Sequence, residues 1–210
     1  MGSHTDCSDW EYDSHPERAK LKTRCERLAS LITKWPHRFD RYGFDTRQGH
    51  AFMFKGLAPT ACTCIAGGYR GSLDCPTLTS YNVHIGSDPR VGVDCRLVAW
   101  QIKSFEAECN AACIAFMSAR KSGKLQSHET LLLFVQVLCD ALERFFWIHP
   151  YANGNGHSGR LLVWTLLARY GMPPVKWAID SKVPYNDALK AYRDGNKKPL
   201  VRLMLQAIRP

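Results

Sequence analysis

His149-Pro150-Tyr151-Ala152-Asn153-Gly154-Asn155-Gly156-His157-Ser158-Gly159-Arg160 joins a proton-transfer group, a glycine-spaced amide loop and an arginine at one turn-to-helix junction. A residue before proline is pushed out of the α region, so the apolar helix running up to Ile148 is predicted to stop at His149. Gly154-Asn155-Gly156 lets the backbone fold tightly with its N–H groups turned inward. Leu161 to Leu167 then reads as a buried helix whose N-terminus opens onto that loop. Exposed amides at a helix N-terminus attract phosphate. A histidine beside such an anion nest points to chemistry on a phosphorylated substrate.

Across these residues the chain resembles the Fic (Fido-fold) family, whose motif is H-x-F-x-[DE]-G-N-G-R-x-x-R. His149, Gly154, Asn155, Gly156 and Arg160 match, and Tyr151 replaces the Phe. Asn153 stands where the acidic residue belongs, and His157 where the first arginine belongs. The resemblance extends outward. Residues 66–70 and 81–86 are similar to the β-hairpin flap that such proteins place over their active site, with Tyr69, Arg70, Val83, His84 and Ile85 as target-docking residues. Residues 185–200, beginning at Tyr185, are similar to the family's closing helical segment.

What the resemblance implies is transfer of AMP from ATP to a Ser, Thr or Tyr hydroxyl of a protein. Carried over by position, His149 is the base, Gly154, Asn155 and Gly156 form the anion hole, and Arg160 clamps phosphate. Asn153, His157 and Tyr185 complete the expected nucleotide-binding set. Each role has a physical reason: imidazole titrates near neutrality, backbone amides need no reorganisation as charge develops, and the guanidinium fork suits phosphate oxygens. The two departures remove one fixed negative and one fixed positive charge together. Mg²⁺ prefers carboxylate oxygen, so a metal site at Asn153 is expected to be weak. That leaves room for other donors, since the family includes transferases of phosphate, phosphocholine or UMP. The competing reading is a Fic-fold module that binds nucleotide or a protein without turnover.

Each residue also has a plainer reading. A histidine at a helix end is ordinarily a hydrogen-bonding residue, and a GNG triplet alone is ordinarily a turn. Arg160 could pair with a carboxylate such as Glu143, and His157 could be a solvated first-turn residue. Tyr151 reads as core packing. Residues 83–85 could form an ordinary edge strand.

Away from the motif the pattern is mostly helical. Ser14-His15-Pro16-Glu17 has the form of a capping box, and Leu21, Cys25, Leu28 and Ile32 repeat at helical spacing, predicting a helix to about Lys34. Residues 40–88 read as loops with short strands. Amphipathic spacing predicts a helix over about 94–118, broken at Ser122-Gly123. The span 128–147 is apolar nearly all round, as in the centre of a bundle. Shorter helices are predicted to about Tyr170, over 186–193 and over 198–208. The expected fold class is mainly α, a Fic-like helical bundle with one small β-hairpin flap. The expected division is an N-terminal tail over 1–14 and one domain over 15–210.

At 210 residues with 45% hydrophobic content the chain suits one globular domain, and no apolar run reaches the length of a membrane span. The start lacks the basic-then-apolar form of a signal peptide, so a cytoplasmic protein is expected. Nine cysteines show no C-x-x-C pair; Cys109 and Cys113 read as core, Cys62 and Cys64 as strand residues facing one side, all as reduced thiols. The net charge of +9 is spread along the chain without a nucleic-acid motif, so a basic nucleic-acid-associated helical protein is the third and weakest class. Expected partners are ATP as donor, a protein bearing a hydroxyl side chain, and a separate inhibitory or antitoxin protein. The last follows from the resemblance, whose inhibitory motif [ST]-x-x-x-E-[GN] is not found near either end. The nearest approximation, at Ser104, lies inside a predicted core helix, and no Glu follows Glu143.

Overall fold

The computed structural model describes residues 7, 10–36, 38, 44–85, 88–122, 128–172, 174–175, 177–180 and 185–208. Helix α1 spans Ala19–Lys34 and buries the predicted stripe of Leu21, Cys25, Leu28 and Ile32. It begins later than the capping-box pattern implies. The Ser14 hydroxyl donates to the Glu11 carbonyl and the Glu17 amide donates to His15 Nδ1, so the reciprocal cap does not form. Helix α2, Arg47–Phe54, lies in the segment expected to be loop and strand.

Two short 3-10 turns follow, Thr60–Ile65 and Pro76–Leu78. Among the described residues there is no strand, and the expected hairpin is absent. Its donors are engaged elsewhere: Gly68 N–H bonds the Ile65 carbonyl, Arg70 N–H the Pro150 carbonyl and Gly71 N–H the Leu78 carbonyl. Residues 81–85 form neither helix nor strand, and Gly86 lies outside the described residues.

The cysteine expectations are corrected here. Cys62 and Cys64 sit on a 3-10 turn and are oxidised, Cys7 pairing with Cys62 and Cys64 with Cys75. Cys109 and Cys113 are free and buried in the core, as their spacing implied.

Helices α3 (Cys95–Lys121) and α4 (His128–Ile148) pack against each other. Their C-terminal ends pass the predicted ones by three residues in α3 and one in α4. Helix α4 also meets α5 (Asn155–Arg169), α6 (Asn186–Arg193) and α7 (Lys198–Ile208), the central position its apolar surface demands. Phe134, Leu138, Leu142 and Phe145 of α4 form the main core with Phe105, Leu162 and Leu166. A second core joins α1 and α2 to the opposite side of α5, through Leu28, Met53, Phe54, Leu161 and Ala168. Helix α5 is therefore buried on both flanks. Each such side chain contributes roughly 1.5–3 kcal/mol relative to exposure, so the helix that carries the motif is firmly anchored on two sides. None of the described helices is long and apolar enough to cross a membrane.

Candidate active site

Helix α4 ends where expected, but the turn is tighter than a pre-proline residue prefers. His149 adopts φ +52°, a left-handed conformation rare for a side-chain-bearing residue. Arg70 holds it there: Nε donates to the His149 carbonyl at 2.8 Å, and Nη2 to the carbonyls of Ile148 and Val93. The Arg70 amide reaches the Pro150 carbonyl at 2.8 Å, completing a brace over the turn. Strain of this kind, about 1–3 kcal/mol, persists only where the surroundings over-determine it.

The loop after the turn is fastened by side chains rather than by a ladder. Asn155 accepts from the Tyr151 amide through Oδ1 and donates to the Tyr151 carbonyl through Nδ2. Tyr151 is buried, bonded to the Thr46 hydroxyl at 2.7 Å and stacked on His50 with ring centroids 3.9 Å apart. His50 accepts from the Gly67 amide on Nδ1 and meets the Asn153 carbonyl with Nε2. Burial pushes its pKa down to about 3, so the ring is neutral and Nε2–H donates. Gly154 opens α5 at φ +75°, with Phe54 and His50 where a Cβ would stand. No side chain caps the helix, and the first-turn amides of 155–157 have no intrahelical acceptor.

A cleft of about 1150 Å³ lies over this turn. His149, residues 152–157, Arg160 and Tyr185 line it together, so the predicted histidine, loop and arginine do converge. Burial, then the charge of Arg70, hold His149 down at about 4, leaving it neutral at pH 7. Its Nδ1 is buried with no hydrogen-bond partner.

Other expected roles change. The Asn153 amide donates to the Trp10 carbonyl at 2.9 Å, and its Oδ1 accepts from the Gly154 amide at 2.7 Å. That oxygen is neutral and already engaged, and no carboxylate stands in the loop, so these residues do not fit a Mg²⁺ ion. Asn155 fastens the loop through its side chain, which leaves only its backbone for an anion. His157 is buried, not solvated. Its Nε2 lies 2.9 Å from Asp180 Oδ1 and its Nδ1 lies 3.3 Å from the Tyr12 hydroxyl. Burial and then Arg160 hold it at about 4 against the pull of Asp180. The ring is therefore neutral, donating from Nε2 to the carboxylate, and supplies no positive charge for phosphate.

Arg160 does not pair with Glu143, whose carboxylate takes Arg193 instead. Its Nε donates to the Ile179 carbonyl at 2.6 Å and its Nη1 to the Tyr185 hydroxyl at 2.7 Å. Tyr185 passes the contact on to the Gly156 carbonyl at 3.1 Å. Arg160 thus edges the cleft as a held cation.

The docking assignments divide. Tyr69 and Arg70 are corrected: both are buried, Tyr69 against Tyr151 and Asp45, and Arg70 only 1% exposed. Val83, His84 and Ile85 do line the cleft, with His84 exposed.

Sequence reasoning missed Trp10, Tyr12, His50 and Asp180. Trp10 and Tyr12 pack on Phe54 and His50 as one wall of the cleft, and the Trp10 indole donates to the Leu57 carbonyl. The aromatic pair at 10 and 12 was their one visible signal. Asp180 also takes the Arg18 guanidinium at 3.1 Å.

No protein-family model matches the chain. It is similar to "Protein adenylyltransferase Fic" of Culex quinquefasciatus, 33% identical over 92 residues, which is 43% of this chain and 18% of that protein. Over the matched segments the chain resembles Fic adenylyltransferases. The similarity recurs with the Fic adenylyltransferases of Aedes aegypti, 42% identical over 57 residues (27% of this chain, 11% of theirs), and Drosophila melanogaster, 36% over 77 residues (37% and 16%). The matches thus span less than a fifth of these curated relatives. The mainly helical architecture is consistent with a Fic-type fold.

Proposed function

We propose that the chain is a Fic-type transferase that moves AMP, or another phosphate-containing group, from a nucleotide to a protein Ser, Thr or Tyr hydroxyl. One observation carries the reading: a neutral histidine and the uncapped N-terminus of α5 face the same cleft. In this reading His149 takes the hydroxyl proton as oxygen attacks phosphorus, while the first-turn amides and Arg160 hold the phosphate oxygens. The family-level support is the name shared by the relatives, which are adenylyltransferases. The rim at 83–85 is where a target segment would lie.

The state of Asn153 and His157 favours a second reading, a module that binds nucleotide with little turnover. Neither residue offers the fixed charge that the family motif carries there. Labelled ATP, with and without Mg²⁺, separates the two. Label should appear on protein and vanish in His149→Ala, with Mg²⁺ changing the rate less than tenfold. Tight nucleotide binding with no transfer in either protein would establish the module instead.

A further inference from the structure

We propose that Cys25, His157 and Asp180 form a site for a zinc-class divalent cation, with its fourth coordination position open to the cleft. The three residues come from separate parts of the fold: α1, the first turn of α5, and the turn at 179–180. One ligand atom from each lies within 4.8 Å of the other two. A tetrahedral zinc holds sulfur at about 2.3 Å and nitrogen or oxygen at about 2.0–2.2 Å, which places ligand atoms roughly 3.2–3.7 Å apart. The His157–Asp180 separation of 2.9 Å needs to widen by only a few tenths of an ångström. Cys25 is a free thiol, buried behind the other two, while His157 and Asp180 both border the cleft.

Charge and outer contacts agree with the assignment. One thiolate and one carboxylate balance the dication itself and neutral imidazole adds nothing, while Arg18 and Arg160 stand beside the site. Thiolate and imidazole select zinc-class ions over Mg²⁺. On loading, the Cys25 S–H bond breaks, a metal–sulfur bond forms and the proton leaves to solvent. The imidazole keeps one proton, now on Nδ1, where the Tyr12 oxygen stands 3.3 Å away to accept it. Asp180 Oδ1 holds both His157 Nε2 and Arg18 Nη2, and on loading it ligates with one lone pair and keeps Arg18 on another. Water, or an anionic oxygen from the cleft, would complete the tetrahedron. The site does not depend on the transferase reading and can exist without it.

The test uses the full chain, disulfides intact, stripped with a chelator and titrated with Co²⁺. One equivalent should produce a thiolate-to-cobalt charge-transfer band and the visible bands of a four-coordinate ion, both displaced by Zn²⁺. The charge-transfer band should disappear in Cys25→Ser and persist in Cys139→Ser, and Asp180→Asn should weaken binding at least tenfold. A band that survives Cys25→Ser, or no band at all, overturns the proposal. Should Cys25→Ser fail to fold, X-ray absorption of zinc-loaded wild type decides without any variant. One sulfur in the first shell is expected, and a shell of nitrogen and oxygen alone overturns it.

Discussion

At the scale of single residues, the turn that carries His149 depends on one guanidinium reaching four carbonyls, those of Tyr81, Val93, Ile148 and His149. Lysine keeps the charge but not the planar fork. Arg70→Lys is therefore expected to cost about 2–4 kcal/mol in urea unfolding, because several buried carbonyls lose their donor. A loss below 0.5 kcal/mol would mean that the brace is dispensable. Gly154→Ala meets two obstacles, a positive φ and the Phe54 ring in the space of the new carbon. It should lower stability by more than about 1 kcal/mol and also weaken anion binding, measured by thermal unfolding with and without inorganic phosphate. The motif's convergence was legible because histidine, paired glycines and arginine follow one another within a single turn and helix start. Arg70 was misread as a docking residue because its acceptors are main-chain oxygens, which leave no mark in a sequence. His157 shows the same limit from the other side. Its neutral state follows from burial beside Arg160, which outweighs the opposing pull of Asp180, a residue 23 positions away.

Among the elements, helices came through well and the irregular connections did not. Apolar spacing over twenty residues averages out local ambiguity, so α3 and α4 lie close to their predicted spans. The stretch 60–65, Thr-Ala-Cys-Thr-Cys-Ile, is too short and too mixed to show a strand or helix period, and it forms a 3-10 turn that carries two bridged cysteines. The segment around Trp10 and Tyr12 carries only an aromatic pair, yet it closes one wall of the cleft. Cys7–Cys62 ties that segment to the Thr60–Ile65 turn. Reduction adds two electrons and two protons to the bridge and releases Cys7 from the turn. Cys7→Ser, or treatment with a dithiol, should thus raise protease cleavage before residue 18 at least tenfold while helical circular dichroism is retained. An unchanged cleavage rate would show that the aromatic packing suffices alone. Bridges of this kind persist in oxidising compartments, which runs against the reduced-thiol expectation. Mass spectrometry without reductant should find both pairs.

For the molecule as a whole, three of the described histidines, His50 and His157 buried and His149 half-buried, shape the response to acid. His50 sits at about 3, and His149 and His157 at about 4, all below the unfolded value of about 6.5. The unfolded chain therefore binds more protons than the native one as pH falls below 6.5. Their stabilisation is fully present above that pH and is lost progressively toward 4, on the order of 1–3 kcal/mol apiece. Urea midpoints at pH 7.5, 6.0 and 5.0 should fall in that order, with a slope above one proton between the last two. A flat series would mean that the rings are solvated in solution. The positive charge of the chain helps in the same direction, since added protons increase self-repulsion. The two-sided packing of α5 has a kinetic corollary. A helix gripped by both layers cannot be split from either without unfolding, so clamshell motion across it is forbidden. Ligand exchange is left to the edges, residues 10–13 on one side and 81–85 on the other, and the parting of those margins rather than any hinge would pace turnover.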